Sequence, residues 1–372
     1  MSGTSCDGID VSCLKISKNE ITSLWSSSLP IPENFKKSVL TLQKPNTKIS
    51  LDYLLELNQN LGLYYAKKIS TLIKTKPTRN HPDAIGIHGL TVFHKDNKSL
   101  QLVDPFLIAL FSKKTTLSFF RQGDIAGGGE GAPLVPKYHL KLSQKYKDHG
   151  IALHNLGGIS NFTYILNKKI KYAFDTGPGN IWIDEATRIY SKNKKDFDSS
   201  GLLAKKGVPN LLAVKKILAH SYFKKMPPKS TGRDDFPFSI LSKFTYQSKL
   251  DLISTATEIT AESIAQQYKK TILSKGFPLT RIVFCGGGSK NHYLLSLIKK
   301  KLGNKIKITT TDEIEINSQF IESQAFAYLS YLSLKGVSLG GEFTGSKPHS
   351  PPAAIIPGLN WKNLLKKIQS TF

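Results

Sequence analysis

Three glycine turns close apolar, strand-like runs in this chain: Ser2-Gly3-Thr4-Ser5-Cys6-Asp7-Gly8, Asn155-Leu156-Gly157-Gly158-Ile159-Ser160-Asn161 and Cys285-Gly286-Gly287-Gly288-Ser289. Glycine lets a backbone approach a ligand closely, because no Cβ stands between the amides and an anion. Successive turn N–H groups form a concave anion site, and neighbouring Ser and Thr hydroxyls add donors. A fourth segment, Phe174-Asp175-Thr176-Gly177-Pro178-Gly179-Asn180, sets a carboxylate directly before another glycine turn. A glycine at a strand end by itself makes only a turn. Several in one chain, with hydroxyls and a carboxylate among them, point to a nucleotide phosphate and to phosphoryl transfer. No Gly-x-x-x-x-Gly-Lys-Ser/Thr run occurs, so Walker chemistry is absent. A magnesium ion must share the phosphate charge, and Asp7 and Asp10 are the nearest carboxylates, although capping a turn is the more common role for an aspartate so placed.

These turns need strands to hold them. Residues 9–16 and 83–88 read as strands, as do the two arms of 150–166 and the run 281–285. Helices are expected over 51–74, 103–112 behind Asp104-Pro105, 180–190, 253–273, 321–334 and from His292 onward. Residues 121–136, rich in glycine, read as a loop, with a helix beginning near Leu134, and 192–206 as an exposed connector. Strands with interleaved helices and ligand turns at strand ends make an α/β or α+β protein.

With 372 residues, 40% hydrophobic and 21% charged, the chain suits two globular domains. No apolar run nears the ~18 residues of a membrane span, and no leader peptide is visible. Cys6, Cys13 and Cys285 lack metal-ligand spacing and read as plain thiols, which fits a cytoplasmic protein. The net charge of +25 invites a nucleic-acid reading, but only Arg79, Arg121, Arg188, Arg233 and Arg281 of the 52 basic residues are arginine. Lysines spread in twos and threes along the chain form a solvated surface, so no nucleic-acid or membrane partner is expected. His88 at a strand end reads as structural, and His94, His139 and His154 share no metal-like spacing.

Taken in order, six motifs resemble those of anhydro-N-acetylmuramic acid kinases. They are the run from Met1 to Asp10, Gly127–Pro136, Asn155–Asn161, Phe174–Asn180, Lys229-Ser-Thr-Gly-Arg233 and Cys285–Gly288. The resemblance extends to about Gly358. It implies the two-domain α/β fold of sugar kinases, actin and heat-shock ATPases (ribonuclease H-like), with an ATP cleft between a domain of residues 1–135 plus about 340–372 and one of 136–339. It implies ATP and Mg, held by Gly3, Thr4, Ser5, Cys6, Asp7, Gly8, Ile9 and Asp10 in the first phosphate loop. Gly157, Gly158 and Asn161 would form the second, with Gly286, Gly287 and Gly288 beside the adenosine and Asp7 toward the metal.

The family adds water to the anhydro bond of 1,6-anhydro-N-acetylmuramic acid while phosphorylating O6. Asp175 is then the general base rather than a mere cap for the next helix. Arg121, Asp124, Gly177, Gly179, Asn180, Arg233 and Glu322 are expected at the sugar, an arginine holding its lactyl carboxylate. Besides the amino sugar and ATP, a second copy in a homodimer is an open partner. An inactive or altered-specificity relative, or a nucleotide-dependent regulator of the same fold, is the competing reading.

The chain departs from the family pattern at Leu90, where glutamine is usual, and at Phe120 (aspartate), Val103 (glycine) and Glu130 (glutamine). Relatives also place an apolar strand ahead of Met-Ser-Gly-Thr-Ser. Without it, the strand after the first turn is expected to lack its hairpin partner and the turn to fray.

Overall fold

The computed structural model describes residues 1–2, 6, 8–17, 20–44, 47–95, 97–232, 234–314 and 316–371. Gly3, Thr4, Ser5, Asp7 and Arg233, all expected at the site, lie outside the described residues. The chain divides into two compact units, Met1–Tyr138 with Glu322–Phe372, and His139–Ile321. The helix Ile321–Leu334 therefore packs almost entirely in the first unit, although the sequence expectation grouped it with 136–339.

The first unit opens with β1 (Ile9–Ile16), β2 (Ile21–Leu29), β3 (Ala84–Gly86), β4 (Leu90–Lys95), β5 (Lys98–Leu102) and β6 (Thr115–Ser118). The second holds β7 (Gly150–Leu156), β8 (Ile159–Leu166), β9 (Lys169–Pro178), β10 (Arg281–Cys285) and β11 (Lys307–Thr310), and β12 (Ala354–Ile356) returns to the first.

In the first unit the sheet is split. β1 pairs antiparallel with β2, while β3, β6 and β12 form a separate three-stranded sheet and β4–β5 a hairpin. Thus β1 does have a hairpin partner, on its C-terminal side. On its other edge, among the described residues, lies Met1, whose nitrogen donates to Asp10 O and whose carbonyl accepts from Asp10 N, both at 2.8 Å. Beyond that pair lies a cavity of about 240 Å³, with Val11 and Cys13 on one wall and Ile85 on the other. Ile69 of the helix Leu51–Lys74, and Phe326 and Leu334 of Ile321–Leu334, also line it. Two separate apolar clusters result: Ile9, Leu61 and Tyr65 belong to one, Leu117, Phe120 and Leu329 to the other.

Three of the four departures from the family pattern lie within these clusters. Leu90, Val103 and Phe120 are buried, Phe120 edge-on to Phe326 with centroids 5.1 Å apart, whereas Glu130 is exposed. The stretch 121–136 is not all loop, because the helix Phe120–Ala126 runs until the glycines begin at Gly127. Gly123 fits that helix because its bare Cα lies against the Pro351 carbonyl.

The second unit is one five-stranded sheet in the order β11-β10-β7-β8-β9, parallel across β11, β10 and β7 and antiparallel beyond. The helix Lys249–Thr271 packs on it through Ile253, Ile259, Ile264 and Tyr268. It is started by a reciprocal cap in which Ser248 accepts from Asp251 N and Asp251 accepts from Ser248 N. The expected exposed connector is partly an anchor: buried Asp198 accepts from Leu203 N and Ala204 N. All three cysteines are buried, and none forms a disulfide. Among the described residues no helix is long and apolar enough to cross a membrane, and no group of three or more His, Cys, Asp or Glu is placed to hold a metal.

Candidate active site

Each unit carries its own group of candidate residues. In the second unit three glycine turns meet at one end of the sheet. β7 turns into β8 through Gly157-Gly158, and β10, level with β7 at Cys285 opposite Asn155, ends in Gly286. The β9 turn is tied to the first of these by backbone bonds: Gly179 N donates to Gly158 O and Asn180 N to Gly157 O, each at 2.8 Å. Asn180 Nδ2 adds a bond to Leu156 O at 3.0 Å, and the helix Ile181–Ser191 starts there. Backbone thus holds backbone, and the turns need no side chains to keep their places.

The glycines divide into two kinds. A Cβ at Gly286 would lie 2.3 Å from Asn155 Oδ1, one at Gly288 2.7 Å from the Asn180 amide, and one at Gly179 2.3 Å from Gly157 O. Those positions are glycine because the protein packs against them. A Cβ at Gly287 meets nothing within 4 Å, and one at Gly157 meets only Ile159 O at 3.3 Å and Asn155 Nδ2 at 3.6 Å. Bare backbone beside open space is what close approach of a phosphate or ribose requires, so these turns fit a nucleotide.

A buried polar chain stiffens the same end. His154 Nε2 bonds Ser160 Oγ at 2.6 Å, Ser160 Oγ bonds Thr176 Oγ1 at 2.8 Å, and His154 Nδ1 bonds Tyr268 OH at 2.9 Å. Burial pulls the His154 imidazole down to about 3, so it stays neutral, with both ring nitrogens engaged in this chain.

Asp175 follows Phe174 on β9, opposite Asn161 of β8. Its own N–H donates to Lys229 O at 3.3 Å, and its carbonyl accepts from Tyr222 OH at 2.6 Å. One carboxylate oxygen, Oδ2, accepts from Thr231 N at 2.8 Å. The other, Oδ1, has no hydrogen-bond partner among the described residues. Burial pushes the carboxyl up from 3.8 to about 7, against the pull of the Thr231 N–H and the Lys229 ammonium. A half-buried carboxyl with one oxygen fixed, one oxygen free and a pKa near neutrality can take a proton from water. Nothing in this arrangement makes it a helix cap: Asn180 holds the N-cap position of the following helix.

In the first unit Arg121 Nε donates to His88 Nε2 at 3.0 Å, and Nη1 donates to Gly131 O at 2.8 Å. Since the guanidinium only donates, His88 Nε2 accepts and its proton sits on Nδ1, facing Gly89 O at 3.1 Å. Burial and then Arg121 hold that histidine well below its usual range. His88 is thus more than a strand-end filler, because it orients the guanidinium. Asp124 has both oxygens engaged, Oδ2 by Gly131 N at 2.8 Å and Oδ1 by Thr344 Oγ1 at 2.7 Å, which makes it the anchor of the glycine loop. Glu322 is half-buried, and its carboxyl is raised by burial while Arg121 pulls it back. Of the segment expected to form the first phosphate loop, Cys6 is buried with a φ of 55°, the Ile9 side chain lies in the core, and Gly8 lies against Leu29 O.

The structure therefore gathers Gly157, Gly158, Asn161, Asp175, Gly177, Gly179, Asn180 and Gly286–Gly288 in the second unit, and Arg121, Asp124 and Glu322 in the first. The sequence reading missed the clamp on Asp175. The motif Lys229-Ser-Thr-Gly-Arg233 was visible, but only its arginine had been assigned a role.

Comparison with known proteins places this arrangement in a family. A family model described as anhydro-N-acetylmuramic acid kinase matches residues 1–357. Relatives of that name include one from Francisella tularensis subsp. novicida, 37% identical over 88% of this chain and 90% of the relative. One from Caldanaerobacter subterraneus is 35% identical over 90% of each chain, and one from Coxiella burnetii 34% identical over 97% of this chain and 96% of the relative. Among solved structures, the activator of 2-hydroxyisocaproyl-CoA dehydratase from Clostridium difficile, with bound ADPNP, aligns with a TM-score of 0.40 at 11% identity, over 86% of this chain and 93% of that one. The chain belongs to the anhydro-N-acetylmuramic acid kinase family.

Proposed function

We propose that this protein is an ATP-dependent sugar kinase that opens the anhydro bond of 1,6-anhydro-N-acetylmuramic acid with water and phosphorylates O6. The products are N-acetylmuramic acid 6-phosphate and ADP, which makes it a cytoplasmic enzyme of peptidoglycan recycling. The observation that carries this reading is Asp175, with Oδ2 fixed by Thr231 N and Oδ1 free, at the sheet end where the glycine turns meet.

Asp175 Oδ1 accepts a proton from water as the water oxygen bonds to the anomeric carbon and the C1–O6 bond breaks. ATP supplies the phosphoryl group that O6 receives, and a magnesium ion shares the phosphate charge. Amides at Gly157, Gly158 and Gly286–Gly288 hold the nucleotide, together with the first loop from Gly3 to Asp10. Asp7 and Asp10 are the carboxylates assigned to the metal. Arg121, aimed by His88, pairs with the lactyl carboxylate, and Glu322, Asn180 and Arg233 complete the sugar side.

The test is ADP release with and without the anhydro sugar, run in ¹⁸O-water. Sugar-dependent ADP with one ¹⁸O at C1 of the phosphorylated product is the expected result. ADP released equally without sugar would replace this reading with that of a nucleotide-dependent regulator.

A further inference from the structure

Lys229 lies close enough to Asp175 for its ammonium to act on the carboxylate, in surroundings unusual for a lysine. Its Nζ lies 4.6 Å from the Tyr222 ring centroid and 5.5 Å from that of Phe174, and donates to Gln267 Oε1 at 3.0 Å and Tyr222 O at 3.2 Å. The chain on either side of it grips the same aspartate. Lys229 O accepts from Asp175 N, and two residues later Thr231 N donates to Oδ2. Tyr222, whose ring the ammonium covers, donates its hydroxyl to Asp175 O. Apart from the β8–β9 ladder, the hydrogen bonds that hold Asp175 therefore come from Lys229 itself, from Tyr222 beneath its ammonium, and from Thr231 two residues along the chain.

We propose that Lys229 is a positioning residue for Asp175, whose side chain pins the 229–231 segment so that Thr231 N occupies Oδ2 and leaves Oδ1 for the attacking water. The proposal rests on Asp175 being the base. It assigns to the lysine two effects that can be separated. One is geometric, since without the anchor the Thr231 amide is no longer held on Oδ2. The other is electrostatic, since a cation near the carboxyl favours its ionised form.

Among the described residues, few charged and titratable groups act on the pair. Tyr222 and Lys225 approach from the helix Ser221–Lys224 and the residue after it, Asp235 from the 231–235 turn, and Lys270 from the helix Lys249–Thr271. Burial, with Lys270 and Lys225, lowers the Lys229 ammonium to about 8, and Asp175 raises it, so it is still mostly charged at pH 7. The base works ionised, so the rate climbs as pH rises through the Asp175 pKa. Removing the cation moves that climb to higher pH.

The experiment compares Lys229→Met, Lys229→Gln and Lys229→Arg with the parent chain, each with a thermal melt to confirm folding. It records kcat and KM for ATP and for anhydro sugar from pH 5 to 9. The expected result for Met and Gln is kcat at pH 7 lowered by about tenfold, KM for ATP within about twofold, and the acid limb displaced upward by about one pH unit. Arginine, still charged, returns the limb to its original place. If Met or Gln lowers kcat with the limb unmoved, or if arginine fails to restore it, the lysine only braces the fold and the proposal is overturned. Asp175→Asn, assayed alongside, keeps the two readings apart. A nearly wild-type Asp175→Asn overturns the base itself, whereas an inactive Asp175→Asn with an unshifted Lys229 series overturns only the role of the lysine.

Discussion

Asn161 and Asp175 face each other across the β8–β9 ladder, and the register slips at that step. Ser160 pairs with Gly177 and Asn161 with Asp175, so Thr176 is the extra residue of a bulge. The bulge is held closed by Thr176 Oγ1, which bonds Ser160 O and Ser160 Oγ. Bulges bend a strand and re-aim its side chains, and they recur beside active sites. Here the bulge turns Asp175 toward Thr231 and leaves the Gly177 turn to continue into the helix Ile181–Ser191.

Asp175→Asn should lower sugar phosphorylation by at least ~100-fold, while ATP affinity stays within a few-fold. The asparagine side chain cannot take the proton, yet its oxygen still accepts from Thr231 N. Steady-state ADP release and a nucleotide titration measure the two effects separately.

The same substitution should stabilise the fold above neutral pH. The carboxyl sits at about 7 in the folded protein against 3.8 unfolded, so the folded state binds its proton more tightly. The contribution is fully present below about pH 4 and is lost as pH rises through 7, because ionising the half-buried group is costly. Asparagine cannot ionise. Asp175→Asn should therefore exceed the parent chain by up to about 4 kcal/mol at pH 8 and match it at pH 4, measured by urea unfolding.

Gly157→Val and Gly287→Val should fold and fail to bind nucleotide. A Cβ at Gly287 meets nothing within 4 Å and one at Gly157 meets Ile159 O closely at 3.3 Å, a contact relieved by a shift of a few tenths of an ångström, so the branched side chains chiefly fill the space assigned to the ligand. Gly286→Val is the contrasting variant, since its Cβ would strike Asn155 and its φ of 79° is foreign to valine. It should lower the melting temperature as well. Calorimetric titration and thermal melts on the three variants test this division, and unchanged ATP affinity in the first two would mean that their glycines only make turns.

Seven alternately apolar residues joined ahead of Met1 should raise the melting temperature by about 5 °C, while an equal length of Gly-Ser should not. Met1 is already in antiparallel register with Asp10, and the space beyond it is walled by β1 on one side and β3 on the other. An added strand would bond to backbone on both edges. Hydrogen exchange at the Ser12 and Gly86 amides reads the outcome: new protection with the apolar extension alone supports it, and equal exchange in all forms rejects it.

Much of the second unit was legible because its signals are local. Arg281–Cys285 is apolar and ends in glycines, and the Asn155–Asn161 turn separates two alternating runs, so strands and turns could be read directly. Asp175 stood out by its place before Gly177. The clamp did not, because Lys229, Tyr222 and Gln267 come together only through packing, and none has a spacing that announces it. β2, with its Ser-rich run Ser26-Ser27-Ser28, and the three-residue strands β3 and β12 carry too little periodicity to be read. The helix Phe120–Ala126 was hidden by the glycines that follow it, since Gly123 is tolerated only because Pro351 lies against it.

The void beside β1 has a mechanical consequence. Hydrostatic pressure acts on volume, and unfolding removes whatever empty space a fold encloses. The first unit holds a partly open cavity of about 240 Å³ between two sheets that do not meet, whereas the second is spanned by one continuous sheet packed on a long helix, and its hollow beside Phe223 and Lys270 is a shallower one open to solvent. Compression should therefore separate what heating blurs. The first unit should give way at the lower pressure, with Trp25 reporting its loss while the emission of Trp182, buried in the second, holds unchanged.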